Sequence, residues 1–468
     1  MRIALAVMAV LVAGCEATVA EVDGGSAGGA VVAGGGTAGG ASGGNSGGGS
    51  TAGGSAGGAS GGTAGGSTAG GSAGGASGGT AGGSTAGGSA GGGAAGGSTG
   101  GGVVAGGGSP GPIDGGMPAW RQGLAAWQWV ELPGSALSNQ RVADPFNGTM
   151  VAPTQRINAW NGLAVNRDNN RVYLAGAGGH ADWAGNEAYE IDLQADQPRW
   201  RLLRGPTPGT AISIEVHYYA DGRPSSTHLY YALQYVRSHG RIFRLSAGSN
   251  WGSGNFSSSN VDAFSLASND WDPAGTWQGG MPAGGNIGRP YAQHETTDDA
   301  FTFFGGSFRK WTASTAMWST LAARPSYAGN DVVSESPSAV DTVRQRVLFT
   351  RNAYRVMQRQ GLVVTFSGTS MASDVTFTGP GAASAIQQQA GLEFLARDDA
   401  YYLKTSTGGA VTRINADTFE ATAQATTGPT PPDAVNGVYN RWRYLPLLRG
   451  FMYLPSGSSN FWFLAAAP

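Results

Sequence analysis

From Asn158 to Pro208 the apolar positions come in four short bursts separated by turn chemistry. Leu163–Val165 is apolar, and the polar run Asn166-Arg-Asp-Asn-Asn170 turns the chain into Arg171–Ala175. Gly176, Gly178 and Gly179 end that burst, a polar loop follows, and Glu187–Leu193 makes the third. Trp200–Leu203 makes the fourth, before Gly205, Pro206 and Pro208 break the pattern. β-Branched and aromatic runs punctuated this way predict four antiparallel strands. One such sheet has two faces to cover and needs copies of itself.

The copies follow. Tyr230–Val236, Arg241–Leu245, Val261–Leu266 and Trp271–Trp277 repeat the plan, and a third copy runs from His294 through Ala300–Phe304 to Gly305-Gly306. A fourth opens at Ser336 and a fifth at Ala385. The sixth, Gly437–Leu464, lacks a closing Trp strand. That strand sits at the other end of the domain, where Trp129-Val-Glu-Leu132-Pro-Gly134 matches Trp200-Arg-Leu-Leu203-Arg-Gly205. The expected fold is therefore all-β: a propeller of six four-stranded blades, with seven the next count, closed by an N-terminal strand completing the C-terminal blade.

The apolar strand, the glycine pair, Tyr189 and Trp200 of the first blade resemble a kelch repeat, and residues 118–468 resemble the kelch and galactose-oxidase-like β-propellers. Such propellers carry many functions, so the resemblance implies a fold and no single activity.

Composition divides the rest of the chain. Residues 1–14 carry one Arg2 and an apolar run from Ile3 to Ala13, too short to span a bilayer and suited to a cleaved signal. The run ends Leu11-Val-Ala-Gly-Cys15, which resembles a bacterial lipobox. Cys15 is the one cysteine in the chain, so the resemblance implies lipidation there, with two or more acyl chains holding the protein at a membrane. Glu16 in place of aspartate leans the expectation towards the outer membrane, facing the periplasm or the cell surface. Residues 15–112 form a Gly/Ser/Thr/Ala-rich linker in which the block at 57–73 recurs at 74–90. With almost nothing to bury, it reads as a coiled tether with an end-to-end distance of about 50–60 Å.

The formal net charge is −2 and no basic stripe appears, which argues against a nucleic-acid partner. Lys310 and Lys404 are the only lysines. No cofactor is expected, and the domain reads as monomeric.

Meander geometry selects a face. The loop joining strands two and three leaves at the same end as the loop leading into strand one. The second-to-third loops are predicted as 180–187 with His180, Asp182 and Trp183, then Asn250–Asn260 with Trp251 and Phe256, Ser307–Trp311 and Asn352–Gln360. The leading loops carry Asn158 and Trp160, Arg223 to His228, Arg289 with Tyr291 to His294, and Tyr439, Arg441 and Trp442. The Arg-Pro-x-x-x-His spacing occurs twice, which aligns Asn158, His228 and His294 near the central channel. Trp311 completes the expected ligand-binding face.

Aromatic rings cover the apolar faces of sugars while Arg, Asn and His direct hydrogen bonds, so this face is expected to hold a glycan or a protein. Other readings remain for the same residues. His228 and His294 can bond neighbouring backbone and stitch blades together; Trp129, Trp200 and Trp277 read as packing between blades. His180, Asp182 and Glu187 have the chemistry of metal ligands, and also that of a turn held by Asp182 and Asn186.

Three enzyme classes enter through resemblance. A galactose-oxidase-like copper centre needs a Cys–Tyr thioether, which a chain whose one cysteine is Cys15 does not supply. Sialidases and kelch-type sialic-acid mutarotases are also propellers, and Arg223, Arg289 and Arg441 offer a carboxylate clamp. Ser268–Trp277 resembles a sialidase Asp box with two extra residues before Gly275. A carbohydrate-active enzyme and a structural envelope protein are therefore the alternatives to a binding module.

Overall fold

The computed structural model describes residues 116–467 apart from 246–247, 253–259, 278–279, 282–287, 305–306, 324–334, 353–355 and 368–371. The readings of residues 1–14, Cys15 and the 15–112 linker lie outside these, as do Phe256 and the Gly305-Gly306 pair.

Six four-stranded antiparallel sheets follow one another along the chain. Blade 1 is Ala164–Asn166, Arg171–Ala175, Ala188–Asp192 and Trp200–Arg204. Blade 2 runs Leu233–Val236, Arg241–Leu245, Val261–Ser265 and Asp270–Trp271; blade 3 runs Ala292–Gln293, Ala300–Phe304, Ser307–Thr312 and Met317–Ala323. Blade 4 is Ser338–Asp341, Arg346–Phe349, Gln360–Thr365 and Ala372–Thr376. Blade 5 is Gly391–Leu395, Ala400–Lys404, Val411–Asn415 and Ala421–Ala423. Blade 6 takes Trp442–Leu445, Gly450–Tyr453 and Phe461–Ala465 from the C-terminus and Trp129–Leu132 from the N-terminus, with Trp129 opposite Leu464 and Leu132 opposite Phe461. The sixfold count and the closing strand are those expected from the sequence.

Burial explains why the inner strands lack alternation. Each sheet packs a neighbour on both faces, so Leu233–Val236, Gly391–Leu395 and Phe461–Ala465 are buried at every position. The outermost strands meet solvent, as in Trp200–Arg204, where Trp200 alone is buried. Trp129 and Trp442 (ring centroids 6.0 Å apart) and Trp200 and Phe461 (5.7 Å) fill the seams on either side of blade 6. Three expected boundaries move. The fourth strand of blade 2 stops at Trp271, because Asp272-Pro273 leaves the ladder and Asp272 instead accepts the Trp277 indole at 2.7 Å. Ser307–Trp311 is strand, since the second and third strands of blade 3 pair from Phe304–Ser307 onwards. The innermost strand of blade 3 is Ala292–Gln293, ahead of His294 rather than after it.

Two unlike faces result. The hairpins joining strands one and two are tight, for example 167–170 and 237–240; this is the hairpin face. The opposite, loop face carries the connections 133–163 and 205–232, far longer than usual links between elements. On the hairpin-face side, Arg167 and Arg443 donate to the two oxygens of Glu393 at 2.8 and 2.7 Å, tying blades 1, 5 and 6 across the axis. A small pocket beside them is lined by these groups, Gln293, Glu295 and Ser338. Among the described residues no helix is long and apolar enough to cross a membrane.

Two predictions test this packing. Trp129→Ala is expected to cost about 3–5 kcal/mol in urea unfolding, because the indole is buried in the seam that closes the ring. Lys404 is buried, donates to the carbonyls of Thr405 (2.7 Å) and Thr407 (3.2 Å) and lies 4.3 Å from the Tyr453 ring centroid. Burial pushes its ammonium down from 10.5 to about 7, so between those values the unfolded chain binds the extra proton. Stability should therefore rise as pH climbs from about 7 towards 10.5, and Lys404→Met should flatten that slope in unfolding midpoints measured across the range.

Candidate functional site

Each blade begins on the loop face with one residue in the left-handed backbone region, two to four positions ahead of its innermost strand: Trp160 (φ 52°), Tyr230 (48°), Gly288 (73°), Glu335 (53°), Gln389 (59°) and Tyr439 (49°). Bulky side chains avoid this region, and such outliers persist only where surrounding structure fixes them. Here backbone hydrogen bonds do so. The N–H of Tyr230 donates to the Trp160 carbonyl (2.9 Å), Glu335 to Gly288 (2.8 Å), Gln389 to Glu335 (2.8 Å) and Tyr439 to Gln389 (3.2 Å). This belt links blades 1 and 2, and blades 3 to 6, at the channel mouth. Side-chain contacts gather there too: Tyr439 meets Tyr230 and Tyr231 edge-on at 5.5 and 5.0 Å, and Gln389 donates to the Glu335 carboxylate at 3.1 Å.

Beside this belt sits a short polar pair. His228 Nε2 lies 2.8 Å from Asp182 Oδ2, and Nδ1 lies 3.3 Å from the Tyr230 hydroxyl. The Asp182 carboxylate only accepts, so Nε2–H donates to it, and in that tautomer Nδ1 accepts from the Tyr230 hydroxyl. Burial, with Glu335 and Asp182 adding to it, pushes the Tyr230 phenol up. Trp160 lies 5.1 Å and His180 6.1 Å from the His228 ring. Asp182 keeps nearly a third of its side chain exposed, and Trp160 and His180 are half-buried. Trp160, His180, Asp182 and His228 are thus brought together.

Trp183 and Asn158 support them. The Arg156 guanidinium lies 3.4 Å from the Trp183 ring centroid and is ion-paired to buried Glu187, whose other oxygen accepts the Trp183 indole at 3.2 Å. Glu187 therefore turns away from His180 and Asp182, and the three do not assemble as metal ligands. Among the described residues, no group of three His, Cys, Asp or Glu side chains is so gathered. Asn158 Oδ1 accepts the Gly457 N–H at 2.9 Å, linking blade 1 to blade 6.

The remaining expected residues go elsewhere. His294 ends the innermost strand of blade 3 and forms its hairpin, accepting the N–H groups of Thr296 and Thr297 on Nδ1 (3.2 and 3.3 Å), so it belongs to the hairpin face. The repeated Arg-Pro-x-x-x-His spacing is out of frame: His228 precedes its strand by five positions, while His294 follows its own. Arg223 pairs with Asp270 (3.1 Å) on the outermost strand of blade 2. Arg441 is fully buried and donates to the carbonyls of Val438, Leu454, Pro455 and Val435, with burial pushing its guanidinium down to about 10. Arg289 is buried against the Tyr291 hydroxyl (3.3 Å). The three arginines form no common clamp. Trp311 packs on Phe243 (4.9 Å), Trp442 stacks on Phe451 (4.4 Å) and Tyr291 neighbours Trp318 (6.1 Å); the buried rings of Trp311, Trp442 and Tyr291 are core.

No family model and no curated protein matches the chain. Solved structures that resemble it include a protein of unknown function from Bacteroides thetaiotaomicron (13% identity, TM-score 0.38, 72% of this chain and 75% of that one). A copper-bound fungal alcohol oxidase of the AA5 family shares 10% identity (TM-score 0.39, 72% and 75%). A protein described as a candidate 6-phosphogluconolactonase from Bacteroides uniformis shares 12% (TM-score 0.37, 66% and 82%). At such identities the likeness concerns the fold alone.

The Arg156–Glu187 pair is the buried strut of this site, so removing one partner strands the other's charge. Glu187→Ala is expected to lower unfolding free energy by about 3–5 kcal/mol. An Arg156→Met/Glu187→Leu double variant should recover most of that loss in the same urea titration.

Proposed function

We propose that this propeller is a binding module whose loop face holds a glycan, carried on a lipidated, bacterial outer-membrane protein with residues 15–112 as its tether. The carrying observation is the cluster in which Trp160, held at φ 52°, lies against His228, itself locked between Asp182 and Tyr230. A ring face beside fixed, directional polar groups suits a sugar, whose C–H face stacks and whose hydroxyls bond. Preorganisation by the backbone belt lowers the ordering cost of binding.

One observation favours binding over sialidase-type catalysis. Arg223, Arg289 and Arg441 are committed to separate partners instead of one carboxylate.

The test is a glycan and polysaccharide array probed with the full chain, with Trp160→Ala and His294→Ala beside it. Binding lost in Trp160→Ala and kept in His294→Ala is the expected result, since the two residues stand on opposite faces. An array without hits, or a loss only in His294→Ala, would sink this reading and favour a protein partner or a structural role.

A further inference from the structure

On the loop face, ring contacts do not stop at the channel mouth. Trp160 meets His228 at 5.1 Å and His228 meets His180 at 6.1 Å. The backbone of His180 bridges that of Trp251, with Gly252 N–H donating to the His180 carbonyl at 2.9 Å. Trp251 in turn meets Phe146 at 6.1 Å. Trp160, His228 and His180 form one run of ring contacts and Trp251 and Phe146 another, and the backbone bridge between His180 and Trp251 joins the two runs on blades 1 and 2.

The outer end of this row is built to stay open. Phe146 is 58% exposed, on a backbone held in place. It sits at the tip of the Val142–Ala143/Met150–Val151 hairpin, where Asp144 Oδ1 accepts the N–H groups of Phe146 (2.9 Å) and Asn147 (3.3 Å). Gly209 N–H donates to the Pro145 carbonyl at 2.8 Å, pinning the tip to the 205–232 connection. On the other side Glu215, at φ 55°, donates its N–H to the Trp251 carbonyl at 2.7 Å. Rigid, exposed aromatics are anchors that bind at low entropic cost. A large apolar side chain fixed in water contributes nothing to the core that would explain the effort.

The row and its charges identify the occupant. We propose that the loop face is a track for a linear, uncharged polysaccharide, with Trp160 and Phe146 binding successive parts of one chain; this rests on the glycan reading above. A line of rings with polar groups between them matches a polymer of sugar units better than a single compact ring. Asp144, Asp182 and the exposed Glu215 are carboxylates beside these rings, and carboxylates repel a polyanion.

The experiment is calorimetric titration of the full chain with two-unit and six-unit oligomers of α-1,4-, β-1,4- and β-1,3-linked glucose. In the series that binds, the hexamer is expected to bind about tenfold tighter than the dimer. Phe146→Ala should reduce the hexamer to the dimer's affinity while leaving dimer affinity and Tm unchanged, and Trp160→Ala should abolish both. Equal affinity for dimer and hexamer would overturn the track and leave the glycan reading standing. So would a Phe146→Ala variant that weakens both oligomers alike or lowers Tm, since Phe146 would then be structural. Titrations with no heat in any series would remove the glycan reading and the track with it.

Discussion

Pairing of Trp129–Leu132 with Phe461–Ala465 is the contact on which the molecule depends. A four-stranded blade buries both faces only if it has a neighbour on each side, and a row of six blades gains the last neighbours only by closing. Placing an N-terminal strand outermost in the C-terminal blade achieves this, with the seam filled by Trp129, Trp442 and Tyr453. It has a second consequence. The chain leaving Leu132 stands at the periphery on the loop face and must travel inward to begin blade 1. The 133–163 connection is that journey, and along it lie the hairpin bearing Phe146, the Arg156 strut and Trp160. Closure thus places the candidate site.

What closure positions, the belt makes rigid. Left-handed residues are costly, roughly 1–3 kcal/mol each where the side chain is bulky, and Trp160, Tyr230 and Tyr439 are bulky. They are tolerated because each belongs to a backbone link between blades or to the ring contacts beside it. Strain so distributed fixes the ring planes at the mouth. Charge is handled the same way: Arg441 on four carbonyls, Arg156 on Glu187, and Arg167 and Arg443 on Glu393 are cross-links between or within blades rather than ligand-seeking groups.

The sequence made the architecture legible because strand burial leaves a direct trace: apolar bursts, turn residues and the Trp-x-x-Leu pattern shared by Trp129 and Trp200. Blade 1 was readable to within a residue or so at each strand. Frame was harder. His294 was aligned with His228 by a spacing motif, but blade 3 starts its inner strand at Ala292, two residues after Pro290, and the same letters fall on the opposite face. Residue type also misled, since Arg223, Arg289 and Arg441 look like carboxylate ligands until their partners are seen. Tyr230, Glu335 and Gln389 were not identifiable as channel-mouth residues. Their shared property is a backbone angle, set by how each connection enters its blade, and no common side chain marks it.

The central claim is that the loop face, not the hairpin face, receives the ligand. Hydrogen–deuterium exchange of the full chain with and without a saturating bound oligosaccharide addresses it directly. Added protection is predicted at 155–161, 180–187 and 226–230, with no change at the hairpins 167–170, 237–240 and 294–299. Protection confined to those hairpins would contradict the account and move the site to the Arg167–Glu393–Arg443 side of the channel.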